Sequence, residues 1–305
     1  MTKLFFLKVK VGKFLANLLS ALVLDRDLRH RVRYRLDPLN PERCTTYLTD
    51  HYAEAPALDM PVLSLGFEPV WMCWLQGLDQ APQLVKNCVA SVRQHCAPSQ
   101  RVVVLTADNF AQYITLPRPI IDKWLQGKIT PTHFSDLIRI FALAEYGGYW
   151  VDATCLFNAP VPQFIAKCDL FLFRSHGEFA YTLIQSCFIH AAAGHYLLRK
   201  WCAAMTAYWE HEDRLIHYFT LHLMYCAILE VDDHFIAAHH SIPWVSDEPI
   251  HVLIKAMLKG EPYTEELMEK ARRASFVQKL TYKFSPLLLN DSQSLANVLS
   301  RQPSI

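Results

Sequence analysis

The sequence predicts an α/β fold: a mostly parallel sheet with a helical C-terminal part and an amphipathic N-terminal helix. Three observations carry this. A strand, a helix and a second strand follow one another between residues 69 and 109. A buried-looking helix then runs through a double glycine into a third strand ("FSDLIRIFALAEYGGYWVDAT", 134–154). From about Gly194 onward the pattern is helical. A strand–helix–strand unit implies parallel pairing with a right-handed crossover. The 305 residues suit one large domain with embellishments, and 52% hydrophobic against 19% charged residues supply a core and exclude global disorder.

Residues 1–36 read as a basic amphipathic helix. The first 35 hold nine Lys or Arg against Asp25 and Asp27, a local balance of +7 that leaves −6 for the rest of a chain whose net charge is +1. Lysines beside Phe and Leu suit an anchor lying on an anionic membrane surface, where each basic group contributes about 1 kcal/mol. Lys8, Lys10 and Lys13 interrupt the apolar run, which argues against a spanning helix and a signal peptide. The alternative is a helix packed on the domain with a solvated basic face. Residues 37–64 are Pro-rich and read as an irregular connector. The main domain is expected over 65–290 and a tail over 291–305.

Within that domain, "PVWMCWLQG" (69–77) is a buried strand ending near Gly77. "APQLVKNCVASVRQHC" (81–96) has helical spacing, and "RVVVLTADN" (101–109) is a β-branched run stopped by Asp-Asn. A short helix follows at "RPIIDKWLQG" (118–127). In the next helix Thr132 or Ser135 is placed to cap the start, and Gly147-Gly148 ends it. "CDLFLFRS" and "SCFIHA" are further strands. "HYLLRKWCAAMTAYWE", "DRLIHYFTLHLMYCAILE" and "TEELMEKARRASFVQKL" read as helices. The second of these would carry Asp213, His217 and His222, either toward an acceptor or as an ordinary helix face.

Asp136 and Arg139 stand at i and i+3 of a helix that is otherwise apolar nearly all round, so they share a face. A buried ion pair is seldom worth its desolvation as a stabiliser. Either the two pair structurally or they line a cleft. Asp152 follows a strand, and ligands of open α/β sheets bind beyond the carboxyl ends of strands. A carboxylate there seats a hard divalent cation, or caps a turn.

Other chemistries lack support. The nine cysteines form no CxxC and read as reduced thiols, with a Cys88–Cys96 bridge as the alternative. The 14 histidines show no HExxH or zinc spacing. No GxSxG, GxGxxG or Walker loop occurs among nine glycines. The −6 balance beyond residue 35 disfavours nucleic acid.

SDLIR, then YGG, then a hydrophobic strand and Asp resembles the signature of GT-A glycosyltransferases. The sequence looks like the capsular polysaccharide synthesis family, related to the DXD-containing sugar transferases and the large glucosylating toxins. The likeness runs through most of residues 70–285. It implies the GT-A nucleotide-sugar-binding fold, Rossmann-like, and transfer of a sugar from a nucleotide donor to a capsular or lipid-linked glycan, with retained configuration. It also implies a cytoplasmic protein on the inner face of the cell membrane. Residue by residue, it implies that Asp136 meets the ribose or base and Arg139 the diphosphate or sugar. Asp152 would reach the metal and diphosphate, Asp152 and Arg139 being the catalytic pair, and Trp74 would stack on the base. Lys279 and Lys283 would neutralise phosphate, with a solvated helix face as their alternative. A divalent cation, Mn or Mg, is expected at Asp152. The third DXD position is Thr154, a neutral and weaker ligand. This departure keeps a second reading open, a catalytically inactive GT-A-like scaffold of polysaccharide assembly.

Overall fold

The computed structural model describes residues 39–301, together with Asp37 and positions 11, 12, 14, 15, 18 and 19. The expected N-terminal anchor therefore lies largely outside the described residues. Within it, Val11, Phe14, Leu15, Leu18 and Leu19 are helical and exposed.

The stretch expected as an irregular connector holds a helix, α1 (Pro41–His51). Asn40 caps it by accepting from Arg43 N at 2.9 Å, and Pro41 occupies the first turn, where its missing N–H costs nothing. The proline that suggested irregular chain is thus a helix start. Cys44 and Leu48 face the main core.

The sheet begins with β1 (Glu68–Cys73), followed by α2 (Gln83–His95) and β2 (Gln100–Leu105), then α3 (Arg118–Leu125) and α4 (Pro131–Tyr146). β3 (Gly148–Val151) and the short β4 (Cys155–Phe157) come next, then α5 (Gln163–Ala166), β5 (Leu170–Arg174) and β6 (Ile184–Ala191). Strand order is β2-β1-β3-β6-β5. β1 pairs parallel with β2 and β3, and only β6 runs against its neighbours, so four of the five strands point one way. Both faces are covered. Trp71 and Cys73 of β1 join the core that holds α4, whereas Val70 and Met72 join the cluster with Val89 and Val92 of α2. Burial on both faces explains why the strands read as continuous apolar runs.

α4 starts two to five residues earlier than expected. Thr130, not Thr132 or Ser135, is its cap, with Pro131 next. At the other end Gly147 (φ 65°) and Gly148 (φ 82°) turn the chain into β3. A Cβ on Gly148 would lie 2.2 Å from Pro69 O, and one on Gly147 2.5 Å from Ala193 N. The double glycine is thus required by backbone conformation and by close approach at once.

The C-terminal part consists of α6 (Tyr196–His211), α7 (Thr220–Leu229), α8 (Asp233–Ser241), α9 (Val252–Lys259) and α10 (Glu265–Ala274). Strand β7 (Val277–Lys279) and two short helices, α11 (Pro286–Asn290) and α12 (Leu295–Leu299), complete it. Two helical expectations fail here. Residues 213–219 form a connection rather than the start of α7, so Asp213, His217 and His222 share no helix. Residues 277–279 are a strand, because β7 pairs antiparallel with β4 in the register Cys155↔Lys279. That pairing delivers Lys279 to the tip of β3. All nine cysteines are free.

Candidate functional site

β3 ends at Val151, and the Asp152 N–H donates to Cys187 O of β6 at 2.8 Å. The backbone thus fixes where the Asp152 carboxylate emerges. Its Oδ1 accepts from Arg139 Nη2 at 3.0 Å and from Trp150 Nε1 at 2.9 Å. Its Oδ2 accepts from Lys279 Nζ at 2.6 Å, and the same ammonium donates to Thr154 Oγ1 at 2.9 Å. Arg139 Nη2 also lies 3.1 Å from Asp136 Oδ1. Its Nη1 donates to Ser186 O at 2.9 Å and to Ser186 Oγ. The guanidinium lies over the Trp150 ring, 5.0 Å from its centroid.

The two alternatives for Asp136 and Arg139 are therefore both realised: they pair, and Arg139 continues the pairing into a cleft. This network sets the electrostatics. Burial would raise the Asp152 pKa, but Lys279 and Arg139 reverse the effect and hold it at about 2. Burial would lower Lys279, yet Asp152 keeps it above the usual lysine range. Burial pushes Asp136 up against the pull of Arg139. His222, buried beside the cluster, is driven down to about 3 by desolvation and by Arg139. Asp152 stays anionic and both cations stay charged at neutral pH.

The cluster is open to solvent. Asp152 and Lys279 retain 22% and 23% of their side-chain exposure, and both line a cleft of about 400 Å³ with Arg139, Trp74, Tyr282 and Lys283. Trp74 meets Tyr282 edge-on at 5.3 Å, and the Lys283 ammonium stands 5.7 Å from the Tyr282 ring. Of the residues expected from sequence, Trp74, Arg139, Asp152, Lys279 and Lys283 converge on this cleft. Asp136 stands behind Arg139 and is not part of the wall. Lys279 and Lys283 belong to a strand and the segment after it, not to a helix face.

Sequence reasoning missed Ser186, Thr154 as the partner of Lys279, and Tyr282. A lone Ser in "SCFIHA" carries no signal of its own. Its part follows from β6 lying beside β3.

A divalent cation at Asp152 finds no ligand set here. Both carboxylate oxygens already accept from cations, Thr154 Oγ1 accepts from Lys279, and no group of three His, Cys, Asp or Glu side chains that could hold a metal exists among the described residues. A dication beside Lys279 and Arg139 would also meet like charge, on the order of 4 kcal/mol per pair of unit charges at 4 Å in an effective dielectric of 20.

The family comparison agrees with the sequence resemblance. No match is found among curated proteins. Among solved structures, the "PaToxG Glycosyltransferase" aligns at a TM-score of 0.41 and 11% identity, covering 88% of this chain and 100% of that one. The family model described as "Capsular polysaccharide synthesis protein" matches residues 54–298, a span that contains every residue of the cleft. The chain belongs to the capsular polysaccharide synthesis protein family.

Proposed function

We propose that the chain transfers a sugar from a nucleoside-diphosphate donor to a surface glycan acceptor, with the cleft beyond β3 as its active site. The observation that carries this reading is the convergence of Lys279, Arg139 and Asp152 on one solvent-open cleft whose wall also holds Trp74, Tyr282 and Lys283. Family membership supplies the polysaccharide context.

In this reading the bond between the sugar C1 and the diphosphate oxygen breaks, and its electron pair leaves with the diphosphate. The acceptor hydroxyl oxygen bonds to C1, and its proton passes to the departing phosphate or to solvent. A preorganised cation placed where the leaving group gains charge lowers the barrier most. Lys279 and Lys283 supply that charge, and Trp74 takes the base. Arg139 is too committed to protein oxygens to be the main phosphate ligand, and Asp136 orients it. Departure and attack on the same face of the sugar require no further enzyme base, which fits retention. The helical apolar positions 11, 14, 15, 18 and 19, beside the lysines of the first 13 residues, would hold the protein on an anionic membrane near a lipid-linked acceptor. No helix among the described residues is long and apolar enough to cross a membrane.

A screen of nucleotide sugars by product detection, with Asp152→Ala as control, tests the reading. One or two donors should turn over, and Asp152→Ala should lose about 100-fold or more, the scale of one lost electrostatic contact. Undiminished activity in Asp152→Ala would remove the mechanism. Donor binding without turnover would favour the scaffold reading, for which Thr154 in place of a second carboxylate is the supporting observation.

A further inference from the structure

We propose that the Lys279 ammonium occupies the position a divalent cation would take in this cleft, so that the nucleoside diphosphate is bound and released without any metal ion. The inference rests on the nucleotide-sugar reading and adds to it the identity of the group that faces the diphosphate.

Four observations carry it. The β4–β7 pairing places Lys279 opposite Cys155, immediately after the Asp152–Thr154 turn, and the Leu280 N–H donates to Thr154 O at 2.8 Å. The backbone therefore fixes the base of the lysine. Its Nζ then bridges Asp152 Oδ2 and Thr154 Oγ1, the two oxygens at the ends of the D-x-T segment, at 2.6 and 2.9 Å. Those are the oxygens a cation seated on this turn would have to use. An ammonium has three N–H donors. Two serve these oxygens, which leaves one for a ligand oxygen in the cleft that Lys279 lines.

Third, the charges match. Two carboxylates balance a dication. Here the segment carries one carboxylate and a neutral threonine, and a single ammonium balances it. Fourth, the remaining Asp152 oxygen is taken by Arg139 and Trp150, so a metal could enter only by expelling Lys279 into a space already positive from Arg139.

In the transfer step Lys279 stays protonated. The electron pair of the broken C1–oxygen bond stays on the diphosphate, whose new charge the ammonium meets by donating its third N–H. The acceptor proton leaves with the phosphate or to solvent, so no metal is needed for charge balance.

Calorimetric titration of the full chain with UDP, GDP, ADP, CDP and dTDP, each in EDTA and in excess manganese, tests this. At least one nucleotide should bind with an affinity that differs by less than about twofold between the two conditions. Lys279→Met should weaken that binding in EDTA by tenfold or more, and in Lys279→Ala manganese should restore much of the loss by entering the vacated position. The wild-type arm needs no folded variant. Binding by the wild type only with manganese would overturn the inference and leave the nucleotide reading standing. Unchanged affinity in a folded Lys279→Met would do the same. If none of the five nucleotides bound under either condition, the reading and the inference would fall together.

Discussion

Arg139 is nearly inaccessible, with 5% of its surface open, and two of its nitrogens serve Asp136, Asp152 and both oxygens of Ser186. A planar fork meets this set and a point charge does not. Arg139→Met leaves Asp136, behind the cleft, and Asp152, on its wall, short of the partner they share. It should destabilise the protein by about 3–5 kcal/mol, the cost of breaking a buried pair from one side, read as a lowered urea midpoint. Arg139→Lys should recover part of that stability but not activity, because Asp152 follows β3 whereas Ser186 lies in β6, and one ammonium lacks the fork that reaches both. A fully active Arg139→Lys would show that the fork plays no positioning role. At this scale much of the site was legible: Asp136, Arg139 and Asp152 sit within 17 residues, and the helix period and the strand end place them together. Whether the first two paired or faced a cleft was not legible, since both outcomes share the i, i+3 spacing.

The turn from α4 to β3 sets where Asp152 emerges, and two glycines make it. Gly148→Ala combines a positive φ with a Cβ 2.2 Å from Pro69 O, a backbone atom held in the parallel β1 ladder. Strain and overpacking each cost on the order of 1–3 kcal/mol, so a loss of roughly 2–6 kcal/mol is expected by chemical denaturation. Gly66→Ala is the control, because its φ is also positive but nothing crowds its Cβ. Equal losses in the two variants would mean that close approach to Pro69 contributes nothing. The turn could be read from YGG because glycine pairs have few other uses between a helix and a strand. β7 could not. Three residues, Val277 to Lys279, come just after a ten-residue helix and the two residues that follow it, and only pairing with β4 more than a hundred residues earlier makes them a strand. α1 was hidden for the opposite reason: Pro41 looks like a breaker until Asn40 is seen to cap it. Lys279 was singled out by family likeness, but its location depended on that long-range pairing.

Among the described residues, three histidines are driven strongly toward the neutral form: burial lowers His190 and His239 to about 4 and His222 to about 3. The unfolded chain takes up these protons near pH 6.5, whereas the folded chain resists until pH 4 or 3. The histidines alone should therefore give stability that is full above pH 7 and falls as the pH drops through 6, by up to about 1.4 kcal/mol per pH unit for each group, while Glu145, which burial raises to about 7, works the other way between pH 7 and 4.5 and offsets one of them. Asp152, depressed to about 2, adds a loss only below about pH 4. Melting temperatures from pH 8 to pH 4 check this. His190→Asn should flatten the upper part of the curve, and an unchanged slope would mean that this residue is not held neutral. At the largest scale the domain brings together a strand tip, a helix face and a C-terminal strand from three parts of the chain, and function depends on what that junction grips. The most direct measurement is a crystal structure of the protein with a bound nucleoside diphosphate, grown in EDTA. The terminal phosphate should lie within hydrogen-bond distance of Lys279 Nζ, with Asp152 still holding that lysine and the base beside Trp74. A diphosphate bound elsewhere on the molecule, with the cleft beyond β3 filled only by water, would contradict it.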